Sequence, residues 1–166
     1  MKKIKIISTG GTFNKVYNKF TGELDIDIES NGVIEIMKIW FSNYEIESII
    51  GKDSLFIDNN DREKIYNRIM EIDSDKIIII HGTDTIDLTA KYLAKKDISK
   101  KIVLTGAMIP YSINPIEATA NLSSAIGYIN GIDKDGIYIS LNGVMGDYRE
   151  IIKDRANGRF MEISLL

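Results

Sequence analysis

The chain has 166 residues, a formal net charge of −3 at pH 7, one histidine and no cysteine. That length allows one domain with a substantial core, and the small negative charge gives no argument for binding nucleic acid or a membrane surface. The lack of cysteine excludes disulfides, thiolate ligands and a cysteine nucleophile. Because His81 is the single histidine, a multi-histidine metal site is excluded, and a Ser-His-Asp triad is possible only if His81 is its histidine. We expect neither a metal nor a cofactor.

The amino terminus, Met1-Lys2-Lys3, leads directly into a predicted strand. No apolar stretch is long enough to be a signal peptide or to span a membrane. These features predict a cytoplasmic protein. No internal repeat, low-complexity segment or linker divides the sequence, so we expect residues 1–166 to form a single domain.

Strands and helices are predicted to alternate along the chain, as in a parallel α/β sheet with helices on both faces. The predicted strands are residues 4–8, 46–50, 77–80, 102–104 and 137–141. The predicted helices are residues 31–40, a helix that starts at the capping residues 58–61, residues 86 to about 96, and residues 116–129. Two extended runs around Thr21-Gly22 predict a hairpin or a mobile loop. The charged tail after Val144 is predicted to end in a short strand, Phe160–Leu165.

The most informative stretch is the run of four isoleucines at 77–80, which indicates a strand buried on both faces. This strand stops at His81-Gly82-Thr83-Asp84-Thr85, and a helical pattern follows at once. The first strand ends in a similar way, at Ser8-Thr9-Gly10-Gly11-Thr12. Because the carboxyl ends of parallel strands share one edge, where α/β sheets bind ligands, we expect both strand ends to face one pocket.

The residues at these strand ends suit acyl transfer on a small substrate. Threonine hydroxyls are weak nucleophiles until a base or a cation assists them, and a lysine with a lowered pKa is one group that can take the proton. Backbone N–H groups at Gly11-Thr12 and at the helix start after Thr83 are suited to hold a carboxylate or an oxyanion.

The same residues also have purely structural interpretations. Gly10-Gly11 fits a simple turn. A nucleotide-binding protein is the least favoured function, because neither the Walker pattern nor G-x-G-x-x-G is present. Thr83 fits a helix N-cap, with Asp84 as a favourable charge in the first turn. We interpret His81 as a hydrogen-bonded core residue rather than a catalytic one.

Three further candidates have equally plain interpretations. Asp53-Ser54, at the end of the second strand, fits a turn. Tyr17 fits a packing residue or a surface aromatic. The charged stretch from Arg149 to Arg159, which includes Lys153, is typical of a solvated face.

The sequence resembles the amino-terminal domain of bacterial-type L-asparaginases over nearly its whole length. Thr9-Gly10-Gly11-Thr12 and His81-Gly82-Thr83-Asp84-Thr85 are similar to two motifs of that family, in the same order, and Thr105-Gly106-Ala107-Met108 and the segment from Asn114 to Asn121 are similar to further segments. The resemblance implies a Rossmann-like, three-layer α/β/α fold with a mostly parallel sheet. It also implies hydrolysis of asparagine, or a related small amide, to the acid and ammonia.

The resemblance assigns catalytic roles to five residues. Thr12 matches the primary nucleophile, which forms a covalent acyl intermediate that water then hydrolyses. Thr83 matches a second catalytic threonine, which the family pairs with an aspartate and a lysine, here Asp84 and Lys153. Tyr17 is the candidate for a mobile-loop tyrosine that assists Thr12.

The substrate contacts implied by the resemblance lie at the same strand ends. Asp84 also matches the residue that holds the α-amino group of the substrate. Asp53 and Ser54 resemble the pair that grips its α-carboxylate and backbone. Ala107 matches an alanine whose carbonyl contacts the side-chain amide, and Gly11 is expected to bind substrate through its backbone.

Members of this family carry a second, carboxy-terminal domain that contributes to the site of a neighbouring subunit. We expect that domain to be absent here and the chain to complete its site as a homo-oligomer that binds a small asparagine- or aspartate-like molecule, with no nucleic acid or membrane partner. The alternative is a non-catalytic binding module for the same ligands.

Overall fold

The computed structural model describes residues 4–42 and 44–165, so the predicted start at Met1-Lys2-Lys3 lies outside the described residues. The strands are β1 (Lys5–Gly10), β2 (Lys15–Tyr17), β3 (Leu24–Ile26), β4 (Glu45–Lys52), β5 (Lys76–Ile80), β6 (Lys101–Thr105), β7 (Gly136–Leu141), β8 (Val144–Asp147), β9 (Ile151–Asp154) and β10 (Arg159–Glu162). The helices are α1 (Asn31–Ile39), α2 (Asn59–Glu71), α3 (Ile86–Leu93) and α4 (Pro115–Gly131).

A six-stranded sheet with the order β4-β1-β5-β6-β7-β8 forms the centre of the described structure. The pairs β1–β4, β1–β5, β5–β6 and β6–β7 are parallel, and β8 is antiparallel to β7. In β1, Ile6 is in register with Ile46 of β4 and with Ile78 of β5. The predicted α/β fold with a mostly parallel sheet is therefore confirmed.

The isoleucine run of β5 contributes to two separate cores, because successive side chains of a strand point to opposite faces. Ile77 and Ile79 lie in one core with the inward-facing residues of α2 and α3. Ile78 and Ile80 lie in the other with those of α1 and α4. All four are fully buried, and the result is a three-layer α/β/α arrangement.

Local capping explains where the helices begin and end. Asp58 and Asp61 form a capping box at the start of α2, and Asn114 accepts a hydrogen bond from the Ile116 N–H at the start of α4,. The prediction that α3 extends to about Lys96 is wrong by one turn. After Leu93 the chain tightens into i→i+3 hydrogen bonds, including Lys96 N–H to the Leu93 carbonyl at 3.0 Å,.

The tail after β7 differs from the sequence-based prediction. One strand was predicted at Phe160–Leu165, whereas the tail forms β8, β9 and β10, and Ile163–Leu165 is a 3-10 turn. β9 and β10 pair antiparallel, and Ile151 and Phe160 are buried in the core beside α3. The interpretation of the charged stretch from Arg149 to Arg159 as a solvated face is confirmed for its three arginines, whose side chains are exposed. It does not hold for Ile151, which is buried within the same stretch.

The predicted hairpin around Thr21-Gly22 is confirmed as the antiparallel pair β2–β3, which forms a small sheet of its own. Within the described part of the chain, no helix has the length and apolar character required to cross a membrane.

Candidate active site

Two glycines bring the ends of β1 and β5 into contact. A Cβ added to Gly11, whose φ is +75°, would lie 2.4 Å from Gly82 Cα, so any side chain here would clash with backbone. Glycine is also the residue best able to adopt this φ. The consequence is that the turns carrying Thr12 and Thr83 pack directly against each other.

Thr83, Asp84 and Lys153 form one hydrogen-bonded group. Lys153 Nζ lies 2.8 Å from Thr83 Oγ1 and 2.8 Å from Asp84 Oδ1. Thr83 is 4% exposed, and the Lys153 side chain is only 16% exposed. Lys153 reaches this position because β9 folds back to the carboxyl end of the parallel strands.

A second cation, Arg155, also binds Asp84. Its Nη1 lies 3.0 Å from Asp84 Oδ1 and its Nη2 lies 2.8 Å from the Asp84 carbonyl oxygen. The hydrogen bond from Lys153, followed by the charges of Lys153 and Arg155, lowers the pKa of Asp84 below its usual value although burial opposes this. Asp84 is therefore a carboxylate at neutral pH.

Asp53 and Ser54 lie at the end of β4, beside the Thr83 turn. Asp53 caps a 3-10 turn by accepting the Leu55 N–H at 3.1 Å, so the predicted turn is confirmed. Ser54 is 1% exposed, and its carbonyl accepts the Thr85 hydroxyl at 2.7 Å. A Cβ on Gly82 would lie 2.5 Å from Ser54 Oγ, which means that the Ser54 side chain contacts the backbone between the two motifs.

Lys15 of β2 forms an ion pair with Asp53, with Nζ 2.6 Å from Oδ2. Burial would raise the pKa of Asp53, but the hydrogen bonds from Lys15 and the Leu55 N–H outweigh it and the pKa is lowered. The charge of Asp84 acts on Asp53 as well. The strand ends therefore carry two carboxylates, each paired with at least one cation.

Among the described residues, Thr12 and Tyr17 are not joined by a hydrogen bond. Thr12 lies in a 3-10 turn and is partly exposed, and among the described residues no side chain forms a hydrogen bond with its hydroxyl. Tyr17 is 64% exposed on β2 and forms no hydrogen bond with Thr12. The Gly11 N–H donates to the Lys52 carbonyl at 2.9 Å, so of the Gly11-Thr12 pair only the Thr12 N–H remains for a ligand.

His81 is a buried structural residue, as interpreted from the sequence. Its Nδ1 lies 2.8 Å from the Gly82 carbonyl oxygen, and its Nε2 lies 2.8 Å from Thr89 Oγ1. Arg62 Nε donates to the same Thr89 hydroxyl at 3.2 Å. Burial lowers the pKa of His81 to about 4, so the ring is neutral at physiological pH.

The N-cap interpretation of Thr83 is wrong. α3 begins at Ile86, and its N-cap residue is Thr85, whose hydroxyl binds Ser54 rather than the helix. Thr83 is therefore free of a capping role, and its hydroxyl contacts Lys153 instead.

Ala107 follows β6 on the same edge of the sheet and is fully buried. A Cβ on the preceding residue, Gly106, would lie 2.2 Å from the His81 carbonyl oxygen and 3.6 Å from Thr83 Cγ2. The loop that carries Ala107 therefore packs against the Thr83 turn.

Sequence reasoning missed Lys15 and Arg155. A strand places residues i and i+2 on one face, so the position of Arg155 two residues after Lys153 is a signal that could have found it. Lys15 has no such local signal, since its partner Asp53 is 38 positions away along the printed sequence. In the described ranges there is no group of three acidic or histidine side chains placed to hold a metal ion.

Comparison with known proteins identifies the family. Residues 3–159 match the family model described as Asparaginase, N-terminal. The chain therefore belongs to the asparaginase family, as the two threonine motifs predicted.

The curated relatives are similar over most of this chain but are much longer. L-asparaginase 2 of Bacillus subtilis (strain 168) is 31% identical over 140 residues, which cover 76% of this chain and 36% of that protein. Glutaminase-asparaginase of Pseudomonas fluorescens biotype A is 26% identical over 167 residues, 92% of this chain and 46% of that protein. The chain thus spans less than half the length of these relatives.

A solved structure supports the fold. The thermostable L-asparaginase from Thermococcus kodakarensis superposes with a TM-score of 0.84 at 24% identity, covering 98% of this chain and 51% of that chain. The two share the α/β architecture with a mostly parallel sheet, which confirms the predicted asparaginase-type fold class.

Proposed function

We propose that the protein is an amidohydrolase of the L-asparaginase type, which converts asparagine or a related small amide to the acid and ammonia through a threonine acyl-enzyme. Family membership supports the reaction class. The observation that carries the proposal is the contact of Lys153 Nζ with both Thr83 Oγ1 and Asp84 Oδ1 at 2.8 Å. A buried hydroxyl that is hydrogen-bonded to a lysine, which is itself paired with a carboxylate, is an arrangement suited to move protons.

The proposed reaction has two steps. Thr12 Oγ1 forms a bond with the amide carbon, the carbon–nitrogen bond breaks, and ammonia leaves with the proton lost by the hydroxyl. Water then cleaves the ester and restores Thr12. Thr83 relays protons in both steps and exchanges them with Lys153, which the 2.8 Å contact with Asp84 Oδ1 holds in place. The Thr12 N–H is the proposed donor to the oxyanion.

The proposed substrate contacts use the remaining strand ends. Asp84 binds the α-amino group, Asp53 and Ser54 bind the α-carboxylate side of the substrate, and the Ala107 carbonyl accepts the amide N–H. Lys15 pairs with Asp53 and so offsets the negative charge of that carboxylate, which would otherwise repel an anionic group. The role of Tyr17 stays a prediction, because no hydrogen bond in the described residues joins it to Thr12.

Ammonia release from asparagine, glutamine and short β-aspartyl amides tests the proposal. Thr83→Ala is expected to lower the rate by at least about a hundredfold, the loss typical for a removed proton-transfer group. Ser99→Ala, which removes an exposed hydroxyl just before β6 at the opposite edge of the sheet, is the matched control and should leave the rate unchanged. Equal rates in the wild type and Thr83→Ala would remove Thr83 from the mechanism.

The second candidate is a binding module for aspartate- or asparagine-like ligands. It is favoured by one observation: in the described residues the hydroxyl of Thr12 forms no hydrogen bond with a side chain that would activate it. Calorimetric titration with aspartate decides between the two functions. Binding without any ammonia release would support the module, and rapid release by the pure protein would eliminate it.

Self-association, cytoplasmic location and the organisation of residues 1–166 as a single domain are further proposals. Self-association is supported by apolar side chains on neighbouring parts of the surface, with Ile39 68%, Phe41 95% and Ile116 74% exposed,. Light scattering is expected to give a mass of at least two chains, and a monomer at all concentrations would contradict this.

A further inference from the structure

One face of α4 organises two of the loops at the edge of the sheet where the candidate site lies. Glu117 and Asn121 are four residues apart on this helix, so their side chains lie on the same face. Asn121 Nδ2 donates to the Gly106 carbonyl at 2.9 Å, and Asn121 Oδ1 accepts the Asn142 N–H at 2.9 Å. Asn121 thus ties the loop after β6 to the loop after β7.

Glu117 holds the same two loops through its carboxylate. Its oxygens accept the backbone N–H of Met108 at 3.1 Å and that of Ile109 at 2.8 Å. It also accepts Asn142 Nδ2 at 2.9 Å. Three donors therefore converge on one carboxylate, and charge-assisted hydrogen bonds of this kind are the stronger class.

These bonds fix the direction of the Ala107 carbonyl. In a trans peptide the C=O and the N–H point to opposite sides, and the Ala107–Met108 peptide is trans. Because the Met108 N–H points at Glu117, the Ala107 carbonyl points away from α4. No donor in the described part of the chain reaches this carbonyl, although Ala107 is fully buried, and buried carbonyls are normally paired.

We propose that Glu117 is a positioning residue that aims the Ala107 carbonyl at the amide nitrogen of the substrate. Glu117 does not touch the substrate; it acts through the Ala107–Met108 peptide. The inference rests on the proposed amidohydrolase function and deepens it. It names the Ala107 carbonyl as the group that makes the site prefer an amide to an ester. An ester has no N–H to donate, so it forms no hydrogen bond with the Ala107 carbonyl and is not affected by the direction of that carbonyl.

The test compares kcat/KM for asparagine with kcat/KM for aspartate β-methyl ester, which carries no amide N–H. Wild type, Glu117→Ala and Glu117→Gln are measured with both substrates. Asn114→Ala is the control, because it removes the side chain that caps the same helix, and this side chain forms no hydrogen bond with Met108 or Ile109 in the described residues. The ratio of amide to ester hydrolysis does not depend on how much of each variant is folded.

The ratio is expected to fall about tenfold in Glu117→Ala, as for the loss of one substrate hydrogen bond. The fall should be smaller in Glu117→Gln, which keeps an acceptor oxygen, and absent in Asn114→Ala. An unchanged ratio in both Glu117 variants, with an active wild type, would overturn the inference while leaving the proposed function intact. A wild type that hydrolyses neither substrate would instead overturn the proposed function, and the inference with it.

Discussion

His81 illustrates how burial decides the role of a residue. It is the single histidine of the sequence and lies inside the motif that carries Thr83, so it is an obvious candidate for a general base. Its ring is fully buried, with one nitrogen bound to the Gly82 carbonyl and the other to Thr89. Both nitrogens are therefore engaged in holding the backbone next to Thr83, and neither is free for proton transfer to a substrate.

The low pKa of His81 predicts a pH dependence of stability. The folded pKa is about 4 and the ordinary value is 6.5, so the unfolded chain takes up a proton first as the pH falls. The contribution of His81 to stability is therefore fully present above pH 6.5 and is lost as the pH falls toward 4. Between pH 6.5 and about pH 5, where most carboxylates remain ionised, the loss is about 2 kcal/mol.

Urea unfolding of wild type and His81→Gln across this pH range measures the effect. The glutamine keeps a donor and an acceptor but does not titrate. We expect the free energy of unfolding of the wild type to fall over this range and that of the variant to stay nearly constant. Parallel curves for the two proteins would show that the pKa of His81 is the same in the folded and unfolded chains, and would contradict the lowered value.

The residues of the candidate site differ in how well the sequence alone predicted them. Thr12, Thr83 and Asp84 stand out because they follow predicted strands at the edge where ligands bind. Lys153 could be matched only through the family resemblance, since a lysine in a charged stretch has no local mark. Lys15 was missed because only the fold brings it to Asp53, which lies far away along the chain. Arg155 was missed although it stands two residues after Lys153.

Among the structural elements, the hairpin β2–β3 lies outside the central sheet and is joined to the candidate site through a small number of side-chain contacts. It forms its own two-stranded sheet. Two of its attachments run through Lys15: the ion pair with Asp53 at 2.6 Å and a hydrogen bond from Ser112 Oγ to the Lys15 carbonyl at 2.7 Å. Tyr17, two residues further on, is carried by the same strand. The Lys15–Asp53 contact therefore couples the position of the hairpin to the end of β4, where we propose that substrate binds.

Removing this ion pair is expected to loosen the hairpin. In Lys15→Met, backbone amides of residues 15–26 should exchange with deuterium several-fold faster than in the wild type, because local opening no longer breaks the bond to Asp53. Lys19→Met is the control, because Lys19 lies in the same hairpin but forms no ion pair with Asp53 in the described residues. If the exchange rates in Lys15→Met match those of the wild type, the ion pair does not hold the hairpin.

Element prediction succeeded where periodicity was strong and failed where pairing was non-local. The helix at 115–131 and the five parallel strands follow from apolar spacing and turn residues alone. The tail from Val144 onward was predicted poorly, since β8 pairs back onto β7 while β9 and β10 pair with each other. Such antiparallel pairings depend on tertiary contacts, and the many charged residues of this tail obscured its inward-facing Ile151 and Phe160.

At the scale of the whole molecule, the parallel sheet brings distant parts of the sequence to one edge. β1 and β5 are neighbours although more than 60 residues separate them, and the glycine contact between Gly11 and Gly82 closes the gap between their ends. The fold class and the common edge were predictable from the alternation of strands and helices. The order of the strands and the return of β9 to this edge were not, because neither is encoded in local pattern.

The most direct test of the account is whether Thr12 and Thr83 act as one unit on one substrate. The measurement is kcat/KM for asparagine with Thr12→Ala, Thr83→Ala and the double variant. The account predicts that each single variant loses at least about a hundredfold and that the double variant is no worse than the poorer single one, as for residues that work in one mechanism. Losses that multiply in the double variant, or a single variant as active as the wild type, would contradict it.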